Sequence, residues 1–326
     1  MKRAMPETAE ASSAVCTLFE GHYHYGVGAL VNSLYRHGFR GMVWVGYRGK
    51  LPPWAQAARR TEEGCDLEVA PGCIIRFLPL QTSIFFSNYK PYFMLDLWDR
   101  YGMRAERLFY FDPDIVIKCR WSFFEEWVDS GVALCLDGAY AHMPATHPFR
   151  RQWQTFACQQ GFTVQRCSDE YYNSGFVGVR REHRALLETW RALMEALHKK
   201  GINIASFKNY AGYNIGDRSH PFYVADQDML NLSVMVTDVP LSVMGTDAMD
   251  FTGAGFTMSH AVDAPKPWKK NFLWLLLKRG RLPGLPDAEF LKYIDGPIQL
   301  YSPLRRRLRR LNYLVSKAVG TFYHRH

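Results

Sequence analysis

Asp112 and Asp114 stand two residues apart around Pro113, directly after the apolar run Leu108, Phe109, Tyr110 and Phe111. Two carboxylates closing a buried strand are costly unless something neutralises them. A divalent cation does this well, because carboxylate oxygens suit Mg²⁺ or Mn²⁺ and diphosphate oxygens can complete the shell. The same residues also suit a solvated strand-end turn shaped by Pro113, since short Asp-x-Asp matches are common by chance. Three later segments bear on the pair: Asn173-Ser174-Gly175, Asp226-Gln227-Asp228, and the stretch from His260 to Lys266-Pro267-Trp268.

Something must carry these groups to one place. Short apolar runs predict strands at residues 15–19, 42–45, 74–78, 108–111 and 132–136. Between and beyond them, helical patterns cover residues 29–37, 55–63, 92–101, 121–130 and 184–199, with another helix entered through residues 224–232. This alternation predicts an α/β fold with a mostly parallel central sheet covered on both faces. Ligands of such sheets bind at the carboxyl ends of the strands. Glu20, Asp112 and Asp137 each follow a predicted strand, so all three are placed at one crevice. Residues 138–152 read as a long surface loop, 171–179 as a polar turn opening a strand, and 253–260 as loop and strand.

Composition narrows the class. The chain has 326 residues, 48% hydrophobic and 15% aromatic, which fits a well-cored globular enzyme. Seven cysteines with no CxxC pair argue against a disulfide framework or a zinc site and favour a reducing compartment. Residues 1–13 read as a polar, flexible arm without the apolar run of a signal peptide, and no run is long enough to span a membrane. Of the formal net charge of +9, seven basic residues lie in 296–326 with no acid among them, leaving +2 on the rest. The basic character therefore belongs to one element and is not a nucleic-acid footprint.

In order and spacing, Asp112-Pro113-Asp114, Asn173-Ser174-Gly175, Asp226-Gln227-Asp228 and His260 to Lys266-Pro267-Trp268 together resemble glycosyltransferase family 8, most nearly its bacterial lipopolysaccharide and lipooligosaccharide galactosyl- and glucosyltransferases. The resemblance covers about residues 14–270 and implies a GT-A fold, a retaining reaction, a nucleotide-sugar donor (a UDP-sugar first) and Mn²⁺, with Mg²⁺ as the substitute. It implies that Asp112, Asp114 and His260 hold the metal, and that Lys266 helps to neutralise the leaving diphosphate. Gln227 would steady positive charge at the sugar, with Asp226, Asp228, Asn173 and Ser174 on the sugar or the acceptor. Glu20, His22 and Tyr23 match the stretch that holds base and ribose, and Lys90 matches a basic residue facing the nucleotide. Pro113 belongs to the same donor-binding turn. On residue chemistry alone, Asp226 and Asp228 also suit a helix N-terminus, and Asn173-Ser174-Gly175 an ordinary turn. Asp263 stands where the family has a glycine, and an acid beside phosphate is unfavourable unless it points away.

The tail is a separate signal. After Ser302-Pro303, Leu304, Leu308, Leu311, Val315, Val319 and Phe322 recur at steps of three to four, with five arginines in the first two turns. This is the pattern of a basic helix on an anionic membrane surface; the alternative is a C-terminal helix packed on the domain with its arginines solvated. The expected organisation is an arm at 1–13, a catalytic domain at 14–270 and a basic membrane-associating region at 271–326. The chain is then a cytoplasmic enzyme peripheral to the inner face of the membrane, with a glycan or glycolipid acceptor. Two other classes compete. A sugar nucleotidyltransferase needs a Gly-rich basic loop after the first strand, which Glu20-Gly21-His22-Tyr23 does not supply. A non-catalytic membrane scaffold of the same fold predicts a damaged metal set.

Overall fold

The computed structural model describes residues 12–202, 204 and 219–323. Residues 1–11 of the expected arm lie outside the described residues, and Ser13 already opens the first strand. The strands are β1 (Ser13–Glu20), β2 (Gly41–Arg48), β3 (Arg59–Arg60), β4 (Cys65–Ala70), β5 (Cys73–Pro79), β6 (Arg107–Phe111), β7 (Ile115–Ile117), β8 (Val132–Leu136), β9 (Tyr172–Arg180), β10 (Leu241–Met244) and β11 (Met258–His260). The helices are α1 (His24–Arg36), α2 (Phe86–Asp99), α3 (Trp121–Asp129), α4 (Pro148–Gln159), α5 (Ala185–Lys199), α6 (Ala225–Val236), α7 (Phe272–Arg279), α8 (Leu285–Lys292) and α9 (Pro303–Tyr323).

Nine strands form one sheet in the order β10-β8-β9-β6-β1-β2-β5-β4-β3. The centre, β6-β1-β2-β5, is parallel; β9 and β4 run against their neighbours. Alternation along β1 shows why the sheet is covered twice. Ala14, Cys16 and Leu18 enter a core shared with α2, α4, α5 and α6. Val15 and Phe19 enter a second core shared with α1, α3 and α8. A short antiparallel ribbon, β7 with β11, stands apart from the main sheet.

Several local expectations change. The helix expected at 55–63 is instead a 3-10 turn at Pro53–Ala55 followed by β3, which pairs with β4 as a polar edge. Helix α2 begins at Phe86 rather than at 92, because Pro91 sits inside it, not ahead of it. The loop expected over 138–152 ends early: Pro148 takes the first helical position of α4, and the His147 ring accepts a hydrogen bond from the Phe149 amide. The second core does not stop at residue 270, since Phe272, Phe290, Ile294, Ile298 and Leu300 all belong to it. Among the described residues no helix is long and apolar enough to cross a membrane.

Candidate active site

The Asp pair is placed by two strands and one ribbon. Strand β6 ends at Phe111, and the Asp112 amide donates to the Gly175 carbonyl on β9 at 2.7 Å. Strand β7 follows at once and pairs with β11 so that Ile115 lies opposite His260. The Ala261 amide then donates to the Asp114 carbonyl at 3.0 Å. In this way an imidazole far along the chain arrives beside the two carboxylates. His260 Nε2 lies 3.2 Å from Asp114 Oδ1 and 3.7 Å from Asp112 Oδ2. One ligand atom from each of the three residues falls within 4.8 Å of the others.

The surrounding backbone is cut to fit. A Cβ on Gly175 would stand 2.4 Å from His260 Cε1 and 3.0 Å from Asp112 Oδ2, so any larger residue there would displace the set. A Cβ on Gly26 would meet the Pro113 carbonyl oxygen at 1.9 Å, which lets the first turn of α1 press against the Asp-Pro-Asp turn. Two carboxylates and an imidazole held this way are a donor set that Mn²⁺ or Mg²⁺ accepts.

Lys266 completes this side. Its Nζ donates to Asp114 Oδ2 at 2.6 Å and to the Ala261 and Val262 carbonyls at 2.8 and 3.1 Å. Burial works against the Asp114 charge, yet His260 and then Lys266 outweigh it and hold the carboxyl below the usual carboxylate range. Burial likewise opposes the Lys266 ammonium, and Asp114 holds it above the usual lysine range. The Asp263 carboxylate pairs with Arg281, whose guanidinium also donates to the Ala264 carbonyl at 3.2 Å. The Asp263 carboxylate is thus taken up by Arg281.

The opposite wall is a closed polar network. Lys90, on α2 and only 2% exposed, donates to the Ser174 carbonyl at 3.0 Å, to Ser174 Oγ at 3.1 Å and to Asp226 Oδ2 at 3.0 Å, and lies 3.3 Å from Asp112 Oδ1. Burial opposes its charge, but Asp112 and Asp226 more than compensate and hold the ammonium above the usual lysine range. Gln227 is fixed at both ends of its amide, accepting from the Ser174 amide at 3.1 Å and donating to Asp137 Oδ2 at 3.2 Å. Asp137 also accepts from Asn173 Nδ2 at 2.9 Å. Asp226 Oδ1 is buried and finds no hydrogen-bond partner among the described residues.

Both walls face one cavity of about 410 Å³ at the carboxyl ends of β1 and β6. Of the residues singled out from sequence, Glu20, Tyr23, Lys90, Asp112, Pro113, Asp114, Asn173, Ser174, Asp226, Gln227, His260 and Lys266 line it. Asp228 and His22 do not. Asp228 turns into the protein, accepting from the Tyr171 hydroxyl at 2.7 Å and from the Val224 amide at 2.9 Å, where it closes the first turn of α6. Burial pushes its carboxyl well above the usual range. His22 accepts from Trp268 Nε1 at 2.8 Å and stacks on Tyr23. Asn173 and Ser174 sit inside β9 rather than in a turn before a strand; Asn173 lies opposite Cys135 of β8, and Ser174 begins the stretch where that register shifts. Two participants carried no sequence signal of their own: Tyr110, whose hydroxyl donates to Asp112 Oδ1 at 2.9 Å, and Gly26. Alternation along β6 would have put Tyr110 and Asp112 on the same face.

No family model and no curated protein sequence matches this chain. Solved structures do: 281 chains match, too many for the likeness to specify a reaction. One is the apo structure of WbbM, a bifunctional glycosyltransferase, with a TM-score of 0.51, 17% identity and 95% of this chain covered. The match takes in 53% of that protein, so this chain spans about half its length. A sheet with a parallel centre, helices on both faces, and an Asp-x-Asp turn at its carboxyl edge make the architecture GT-A-like.

Proposed function

We propose that this chain is a retaining, metal-dependent glycosyltransferase of the family 8 type. It moves a hexose from a nucleotide-sugar, a UDP-sugar first, to a lipid-linked or polysaccharide acceptor in bacterial surface-glycan synthesis. The observation that supports this most is the convergence of Asp112, Asp114 and His260 on one cavity rim with Lys266, opposite a fixed Gln227. A scaffold that had lost catalysis would have no need to keep that set together.

Asp112, Asp114 and His260 would hold Mn²⁺ or Mg²⁺, which when bound neutralises charge on the leaving diphosphate. Lys266 stands on the same rim and adds a fixed positive charge for the phosphates. Glu20, at the mouth with Arg48 at 3.0 Å, and Tyr23 form the side for base and ribose. Asp226 Oδ1, buried without a partner among the described residues, suits a sugar hydroxyl, and Asn173 and Ser174 line the same side. The Gln227 amide, clamped by Ser174 and Asp137, steadies positive charge at the anomeric carbon. The acceptor hydroxyl then attacks from the face the diphosphate leaves, and the departing phosphate takes its proton.

The enzyme works on the inner membrane face, where α9 rests on anionic lipid. Leu304 is 70% exposed and Phe322 76%, with Leu308, Leu311 and Leu314 between them. Four of its arginines also have partners in the protein: Arg306 and Arg310 pair with Asp295, and Arg305 and Arg309 lie over Tyr301. The exposed apolar row is therefore the larger part of the membrane contact. The test is a hydrolysis screen of UDP-, GDP- and CMP-sugars with and without Mn²⁺, with the released anomer read by NMR. Metal-dependent release with retained configuration is expected; metal-independent turnover or inversion sinks the proposal.

A further inference from the structure

Helix α9 does more than present leucines. Its inner side carries Arg309, whose Nη2 donates to the Pro267 carbonyl at 2.6 Å. The guanidinium lies 5.0 Å over the Tyr301 ring, and Tyr301 stacks at 5.1 Å on Tyr25 in the first turn of α1. Pro267 is flanked by Lys266, which lines the cavity, and by Trp268, which packs behind the lining residue Tyr23. Before it, Lys266 reaches Asp114 at 2.6 Å. After it, Trp268 donates to His22 at 2.8 Å and meets the Tyr23 ring edge-on at 5.4 Å. The Trp268 ring also stands 2.9 Å from the Cβ position of Gly26, which itself abuts the Pro113 carbonyl. One side chain of the last helix thus braces the segment that touches the Asp-Pro-Asp turn, the metal-side lysine and the Tyr23 wall.

Docking the helix does not need this contact. Arg306 and Arg310 already tie α9 to Asp295 at 2.9 and 3.1 Å, and Asn312 accepts from the Phe272 amide at 2.8 Å. Arg309 differs because its partner is a carbonyl next to Lys266. We propose that Arg309 is a positioning residue of the active site, so that α9 belongs to the donor-binding machinery as well as to the membrane surface. The donor and membrane roles, and the choice of ligands in the test, rest on the glycosyltransferase reading; the bracing of residues 266–268 by Arg309 does not.

The test uses the full chain in lipid-free solution: wild type, Arg309→Met, Arg309→Lys, and the double control Arg306→Met with Arg310→Met. UDP binding in the presence of Mn²⁺ is measured by calorimetry, and amide hydrogen exchange is followed over residues 260–270 and in β6. Losing one partly buried hydrogen bond and loosening Lys266 should weaken UDP about tenfold in Arg309→Met. Exchange over 260–270 should rise while β6 stays protected. Arg309→Lys should recover part of both, since an ammonium can still reach the carbonyl but does not stack as a planar guanidinium does. The double control should change neither. Equal effects from Arg309→Met and the double control would reduce Arg309 to ordinary helix docking, and no effect from Arg309→Met would overturn the proposal outright. If wild type binds no UDP, the choice of a UDP-sugar donor fails, and the exchange comparison alone then decides the positioning claim.

Discussion

Helices α6 and α9 both break the rule that a helix turns its apolar stripe inward, and they break it in opposite senses. Every residue of α6 is buried, including Asp226, Gln227, Asp228 and Asn231. In α9 the leucines face outward while Ser316 and Gly320 face the protein. The polar groups of α6 are tolerated inside because almost all are paired, with Lys90, Ser174, Asp137, Tyr171 and Tyr172. The apolar groups of α9 have no such match among the described residues. Buried polarity that is satisfied gives a rigid wall for a ligand to meet. Exposed apolarity that is unsatisfied gives a surface that something else must cover.

The sharpest way to break the α6 side of this contrast is Lys90→Met. It leaves Asp226 and Asp112 without their buried cation, and removing one partner of such a pair costs about 3–5 kcal/mol. Urea unfolding should show that loss. A change below about 1 kcal/mol, the scale of an exposed pair, would mean the network does not hold α6 in place.

On the α9 side, Leu308→Asp with Leu311→Asp should cut flotation with anionic vesicles about tenfold or more while leaving the melting temperature near wild type, because both positions are exposed. A large fall in melting temperature would show instead that this face is covered by protein, a second copy included.

The smallest effect concerns Asp228, the buried acid of α6 that does not line the active-site cavity. Its folded pKa is raised, so the folded state holds the proton more tightly than the unfolded chain. Its burial is thus tolerated fully at low pH and becomes a cost as pH rises above the ordinary carboxylate value of about 4. Asp228→Asn removes that titration. Melts across pH 4 to 8 should show the variant gaining on wild type as pH rises, by about 1 kcal/mol or a few degrees. A constant difference across that range would contradict the assignment.

The sequence made the Asp112-Asp114-His260 cluster legible because its signal was local. An apolar strand that ends in two acids has few solutions, and Lys266-Pro267-Trp268 after His260 narrowed them. The sheet core was legible for the same reason, through the short apolar runs of β1, β2, β5, β6 and β8. What was hidden depended on partners distant in sequence. The reversed direction of β9 is set by its pairing with both β6 and β8, which leaves no mark on Tyr172–Arg180 itself. Lys90 read as a residue near the nucleotide, but Pro91 masked the helix it belongs to. The outward face of α9 was hidden in another way: periodicity gives a stripe without saying which way it points, and here the arginines found Asp295, Pro267 and Tyr301.

The central claim is that Asp112, Asp114 and His260 form a metal site that serves a nucleotide-sugar. Its most direct test is Mn²⁺ binding by electron paramagnetic resonance, with and without UDP, on wild type and on Asp114→Ala. The account predicts Mn²⁺ bound by wild type, held more tightly when UDP is present, and an affinity loss of about a hundredfold or more in Asp114→Ala, since a cation of this kind needs its carboxylates. Equal Mn²⁺ binding by the two proteins, or binding that UDP does not change, would contradict it.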